Sequence, residues 1–156
     1  MSPKDLFAEA MASLASGVTV ITARRADGEP CGLAATSTAA FSADPPSVMT
    51  SIAHASRCHD TLAGCEHFGV HILGAHQEPD ARVFVSRADD KFAQLEWRWD
   101  GDVPELLGTI AYLRCRRADT FSRYDHSILI GDLEDGRHDH GQPLLYAQRR
   151  MNWTLR

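Results

Sequence analysis

Apolar positions near the start of the chain recur at helical spacing: Leu6, Phe7, Ala10, Met11 and Leu14 share one face. Ser2-Pro3-Lys4-Asp5 supplies the start of that helix, with serine as N-cap, proline at the first helical position and an acid in the first turn. Gly17 is placed to end it in left-handed geometry. The apolar face needs cover, from the same chain or from a second subunit. The pattern then changes period. Residues 18–25 are β-branched and predict a strand, Asp27-Gly28 marks a hairpin turn, and 30–38 return as the partner. Pro45-Pro46 stiffens the next return, and 47–53 read as a mostly apolar strand.

Further along, Ser56 is placed to cap a helix over 57–64, and 68–73 alternate enough to form a strand with one wet face. Residues 77–86 predict a short helix with Glu78 and Asp80 at its start, and Asp89-Asp90-Lys91-Phe92 opens another turn or helix. Trp97 and Trp99, two apart, fit a strand edge or an extended loop, and 101–105 read as a connection around Pro104. Residues 106–121 and 125–134 are long enough for an antiparallel pair, with a polar corner at 119–124. Gly131 inside the second of these signals a bulge or a close backbone approach. A turn at 138–143 leads to a closing strand at 144–146. Six or seven antiparallel strands with a few short flanking helices predict a mainly β barrel.

Composition narrows the function classes. A chain of 156 residues suits one domain with a real core. A formal net charge of −5 argues against a duplex nucleic-acid binder, and Arg114, Arg116 and Arg117 fit a solvated strand face as well as a basic patch. No basic start followed by an apolar run marks a secretory signal, and no stretch approaches a membrane span, so a cytoplasmic location is expected. Four cysteines without a CxxC pair are then expected to be reduced, with Cys58 and Cys65 two turns apart on one helix face and both buried. His59 and His67 fall at opposite ends of the second helix, and His138-x-His140 lies in a turn. Neither makes a closed zinc set, so no metal site is expected.

The candidate chemistry gathers in residues 32–60. Ala34, Ala35, Thr36, Ser37, Thr38, Ala39 and Ala40 offer little bulk, so a ligand can approach the backbone and bond to its amides. Ser56 and Arg57 at a helix mouth combine free N–H donors, partial positive charge and a guanidinium fork, which suits an anion. An N-cap and a surface arginine would read the same way. There is no Rossmann GxGxxG unit, and no convincing triad or carboxylate pair.

Gly32-Leu33-Ala34-Ala35-Thr36-Ser37, then Phe41-Ser42-x-x-Pro45-Pro46-Ser47 and Ser56-Arg57, resembles the signature of the flavin reductase-like family. That family comprises FMN-binding split-barrel proteins, including the small reductase components of two-component flavin monooxygenases. The likeness continues through Phe7-x-x-Ala10-Met11 and Gly17-Val18-x-Val20-Ile21-Thr22 upstream. Downstream it includes Phe68-x-Val70-x-Ile72-Leu73, Asp125-His126-x-Ile128, Gly131-Asp132-Leu133 and Pro143-Leu144-Leu145-Tyr146. The resemblance implies a Greek-key split β-barrel and hydride transfer from NADH or NADPH to FMN or FAD. It implies a homodimer and a partner monooxygenase. The flavin's donors would be the amides of Ala34–Thr38 and of Ser51, Ile52 and Ala53, with hydroxyls from Thr36 and Ser37 and the phosphate on Ser56 and Arg57. His126, oriented by Asp125, would position the nicotinamide, and Phe84, Ser86 and Trp97 would border the site. The chain departs from the pattern at Tyr124, where glycine is common, and at Ala34, where threonine is frequent. Two alternatives stand beside this reading: an FMN-binding electron carrier, or a non-enzymatic split-barrel module for a flavin or haem.

Overall fold

The computed structural model describes residues 1–156. In chain order the elements are helix α1 (Pro3–Ser13), strands β1 (Ser16–Gly17), β2 (Thr19–Arg24), β3 (Pro30–Ala35), β4 (Ala39–Ala43) and β5 (Pro46–Ala53), then helix α2 (His59–Gly64) and β6 (His67–Ile72). Helix α3 (Glu78–Val85) follows, then β7 (Trp97–Asp100), β8 (Val103–Leu106), β9 (Ala111–Arg123), β10 (His126–His138) and β11 (Leu145–Tyr146). Seven strands form one antiparallel sheet in the order β3-β2-β6-β9-β10-β5-β4, and β1–β11 and β7–β8 make two small pairs.

Helix α1 starts as its sequence dictates: Ser2 Oγ accepts from the Asp5 N–H at 3.1 Å with Pro3 at the first position. It stops at Ser13, before the predicted glycine. Leu14 is the extended C-cap, and Gly17 lies in β1. None of its residues is buried.

Strand β2 shows the period-two logic of a sheet covered on both faces. Ile21 and Ala23 point into a core with Leu62, Phe68, Val70 and Leu129, while Val20 points into a second core with Leu73, Phe84, Phe92 and Leu106. The wet face expected for the strand at 68–73 is therefore absent. β6 is buried from Phe68 to His71, because the β7–β8 hairpin lies over it. That hairpin also corrects the connection expected at 101–105: Val103–Leu106 is a strand, and Pro104 is tolerated there because β8 pairs only with β7. Thr22 Oγ1 donates to the Pro104 carbonyl at 2.6 Å and ties the hairpin down.

The long pair β9–β10 runs past the predicted corner. Its turn is only Tyr124 and Asp125, and Tyr124 has φ 54°, the left-handed region that favours glycine. At Gly131 both sequence signals hold. The register shifts between Ile130 and Gly131, and an added Cβ would lie 2.7 Å from Phe68 Cε1 and 2.8 Å from Cys115 Cβ.

The sheet does not close. β3 and β4 are its two edges, and no ladder joins β3 to β5. Hydroxyls span that gap instead. Ser37 Oγ donates to the Ser51 carbonyl at 3.1 Å and accepts from the Ser51 N–H at 3.1 Å. Thr38 Oγ1 donates to Thr50 Oγ1 at 3.2 Å.

Candidate active site

The open seam between β3 and β5 carries unpaired backbone donors, and their identity follows from ladder phase. The Arg25 N–H donates to the Glu29 carbonyl at 2.8 Å, which fixes the alternation of the β2–β3 pair. Counting from there, Cys31, Leu33 and Ala35 turn their amides towards β2, and Gly32 and Ala34 turn theirs to the open edge. On β5, the His54 N–H donates to the Asp125 carbonyl at 2.8 Å, so Ile52 faces β10, and Ser51 and Ala53 face the seam. The Ser51 N–H is already held by Ser37. Ala34 and Ala53 thus present outward N–H groups from opposite walls.

Leu33 to Ser37, Ser51 to Ala53, Ser56 and His126 line a cavity of about 370 Å³ in this seam. A second cavity of about 360 Å³ shares Leu33, Ala34 and Ser56 with it and continues to Arg25, Arg57, Phe84, Ser86, Lys91 and Phe92. Together they form one groove with an imidazole at one end and three cations towards the other.

Most of the sequence candidates meet here, but not all in the expected role. Ser37's hydroxyl is spent on Ser51, and the Ile52 amide faces β10, so neither offers a free donor. Thr38 turns inward to Thr19 Oγ1 at 2.8 Å and lines neither cavity. The second helix begins at His59 with Cys58 as N-cap, so Ser56 is not its cap. Ser56 Oγ accepts instead from the Cys58 N–H at 3.2 Å, inside the preceding turn. Arg57 is two-thirds exposed and pairs with Asp89 at 3.2 Å. Phe84 and Ser86 border the groove as expected, whereas Trp97 packs on Phe92 outside it. Arg25 and Lys91 are additions. Nothing in their spacing marks them, since the hairpin and the loop after α3 bring them together only in three dimensions. Cys65 is half-buried rather than buried.

His126 sits at the mouth, half-exposed, with Nδ1 2.9 Å from Asp125 Oδ1. This hydrogen bond holds the Asp125 carboxyl below the ordinary carboxylate range. An ionised Asp125 accepts from Nδ1–H and leaves Nε2 available.

Behind β5 the chain also assembles a serine–histidine–aspartate line: Ser127 Oγ is 2.8 Å from His59 Nε2, and His59 Nδ1 is 3.0 Å from Asp60. Ser127 is buried, its hydroxyl also contacts His54 Nε2 at 3.1 Å, and the adjoining gap admits no water molecule. The line is framework, not a nucleophile.

A family model described as flavin reductase like domain matches residues 11–155. The FMN reductase (NADH) SmoA of Agrobacterium fabrum is 36% identical over 142 residues, covering 90% of this chain and 80% of that protein. The reductase component of 4-hydroxyphenylacetate 3-monooxygenase from Thermus thermophilus is 34% identical over 154 residues, covering 96% and 98%. Among solved structures, the Streptomyces globisporus NADH:FAD oxidoreductase SgcE6, in complex with NAD and FAD fragments, superposes with a TM-score of 0.89 at 26% identity, covering 99% and 96%.

Proposed function

Because this chain belongs to the flavin reductase-like family, we propose that it is a single-domain NADH-dependent flavin reductase that supplies reduced FMN or FAD to a separate monooxygenase. The observation that carries this reading is the seam. Two facing strands offer outward amides at Ala34 and Ala53 from walls that also carry Leu33 and Ile52, with cations beyond one end and a carboxylate-held imidazole at the other. A flat ring fits such walls, and a phosphate fits Arg57, Lys91 and Arg25.

The bound flavin supplies the hydride acceptor, so the chain needs no nucleophile or strong acid of its own. The Ala34 and Ala53 N–H groups are fixed by the ladders on either side and would favour negative charge on a ring bound between them. Arg57 and Lys91 would hold the phosphate as a fork and a point charge. Asp125 fixes the His126 ring, whose Nε2 would position the nicotinamide at the mouth.

The open seam between β3 and the end of β5 that β4 leaves unpaired supports a split-barrel description, with the ligand in the split. Leu6, Phe7 and Met11 on α1 and Leu14 at its C-cap, all exposed, support a homodimer that covers them. No helix is long and apolar enough to cross a membrane, and four free cysteines accord with a cytoplasmic enzyme.

The test is steady-state oxidation of NADH and NADPH with added FMN or FAD, on wild type and His126→Ala. Turnover should saturate with free flavin and prefer NADH. The variant should lose about ten- to a hundredfold in kcat/KM for NADH, as expected when a positioning group is removed. Unchanged kinetics in the variant would remove His126 from the site. Flavin binding without oxidation of either nucleotide would point to a carrier or binding module.

A further inference from the structure

The groove does not end at its cations. A third cavity, of about 340 Å³, shares Pro30, Asp90 and Phe92 with the 360 Å³ one and adds Glu29, Trp97 and Trp99. The free edge of β3 runs along all three. Its outward positions are Ala34 in the seam, Gly32 beside the cations and Pro30 where the third cavity begins. At about 3.3 Å per residue, Pro30 lies roughly 13 Å along the strand from the Ala34 amide. Proline has no N–H, so the edge stops offering donors there.

The lining changes character at the same point. Phe92 meets Trp97 edge to face with ring centroids 5.2 Å apart, and Trp97 meets Trp99 in the same manner at 5.2 Å. Trp99 stacks face to face on no ring and is 40% exposed, so a flat aromatic group can lie on it. None of the residues lining this cavity is cationic, whereas Glu29 and Asp90 bring carboxylates to it. Asp90 Oδ1 accepts from the Ala93 N–H at 3.1 Å, which leaves its second oxygen for another donor. The cavity therefore suits a neutral heterocycle carrying an amino group, not a second phosphate.

Along the groove the order is amide donors, then cations, then an aromatic face beside carboxylates. FAD carries its parts in that order: flavin ring, diphosphate, adenine. FMN stops at the cations. We propose that the cavity at Trp99 is an adenine subsite, and that it makes FAD the preferred flavin of this chain over FMN. Adenine would stack on Trp99 and donate its amino group to Glu29 or Asp90. The diphosphate carries the same charge as the FMN phosphate, so Arg57 and Lys91 serve either. This inference rests on the reductase reading and names the flavin within it. NADH also carries adenine, but His126 lies in the seam cavity at the other end of the groove. A nicotinamide held there would have to send its adenine past the whole flavin to reach Trp99.

The experiment titrates the flavin-free, full-length protein with FMN and FAD by calorimetry, in wild type, Trp99→Ala and Trp99→Phe. The KM for NADH is measured on the same proteins with FMN as acceptor. Wild type should bind FAD about tenfold more tightly than FMN, the size of one base–aromatic stack. Trp99→Ala should bring the two affinities together, and Trp99→Phe should restore most of the difference, which a mere loosening of the β7–β8 hairpin would not allow. Equal affinities in wild type, or a loss in Trp99→Ala shared by both flavins, would overturn the subsite without touching the reductase reading. A raised KM for NADH in Trp99→Ala, with the preference for FAD intact, would give the adenine to the nicotinamide nucleotide and overturn the flavin assignment. Binding of neither flavin would overturn the reductase reading itself.

Discussion

His71 is completely buried, yet both ring nitrogens are satisfied. Nδ1–H donates to the Val20 carbonyl at 3.0 Å, and Nε2 accepts from the Leu106 N–H at 3.0 Å, with Tyr112 stacked 5.0 Å away. Burial pushes its pKa down to about 4 from an ordinary 6.5, so the folded protein keeps the ring neutral where the unfolded chain protonates it. Between those two values the unfolded state binds more protons. Stability is therefore full above about 6.5 and falls as the pH drops towards 4, by on the order of 3 kcal/mol. In urea denaturation at pH 7.5 and pH 5, His71→Gln should be less stable at the higher pH and lose less on acidification. An equal loss in both proteins would assign the pH dependence elsewhere. The sequence did not single out this histidine. It occupies what alternation makes the wet face of a strand, and only the hairpin β7–β8, distant in sequence, covers it. His126 was singled out because Asp125 stands beside it and the surrounding residues resemble a known family, and it lines the seam cavity.

Elements set by neighbours in the chain were readable from it, and those set by distant packing were not. The α1 cap, the Asp27-Gly28 turn and the β9–β10 pair each depend on local chemistry. The start of α2 was misplaced by two residues because Ser56 has the chemistry of a cap but uses it inside the preceding turn. The strand at Pro104 was hidden because its only ladder partner is an equally short edge. Gly131 is the case where a local signal carried a tertiary meaning. Its backbone lies against Phe68 and Cys115, so Gly131→Ala should destabilise the protein by about 1–3 kcal/mol through overpacking. A lower denaturation midpoint with an unchanged slope would show this. Phe68→Leu, which shrinks the opposing side chain, should recover part of the loss in the double variant. No coupling between the two would locate the strain elsewhere.

At the scale of the whole molecule, the exposed row of Leu6, Phe7, Met11 and Leu14 is a large apolar surface for a single chain to leave in water. Replacing Phe7 and Leu14 together with glutamate should shift sedimentation from dimer to monomer. A monomeric wild type would sink the dimer. The openness of the main sheet was beyond the sequence, which supplied strands in number enough for a closed barrel but not their final pairing. What the chain leaves undone at that seam has a thermodynamic side. The unjoined strands at the seam are the weakest rim of the sheet, and a planar guest that accepted from both sides, as the proposed site has it, would bridge them. Folding and ligand occupancy would then share one free-energy balance. At a hundredfold excess of FMN over its dissociation constant, the folded state should gain about 2.7 kcal/mol, seen as a melting temperature that climbs with flavin concentration. A melting temperature indifferent to flavin would separate the seam from the ligand. The cell's supply of flavin would therefore set the enzyme's lifetime as well as its rate, since chains without it unfold more often and are degraded first.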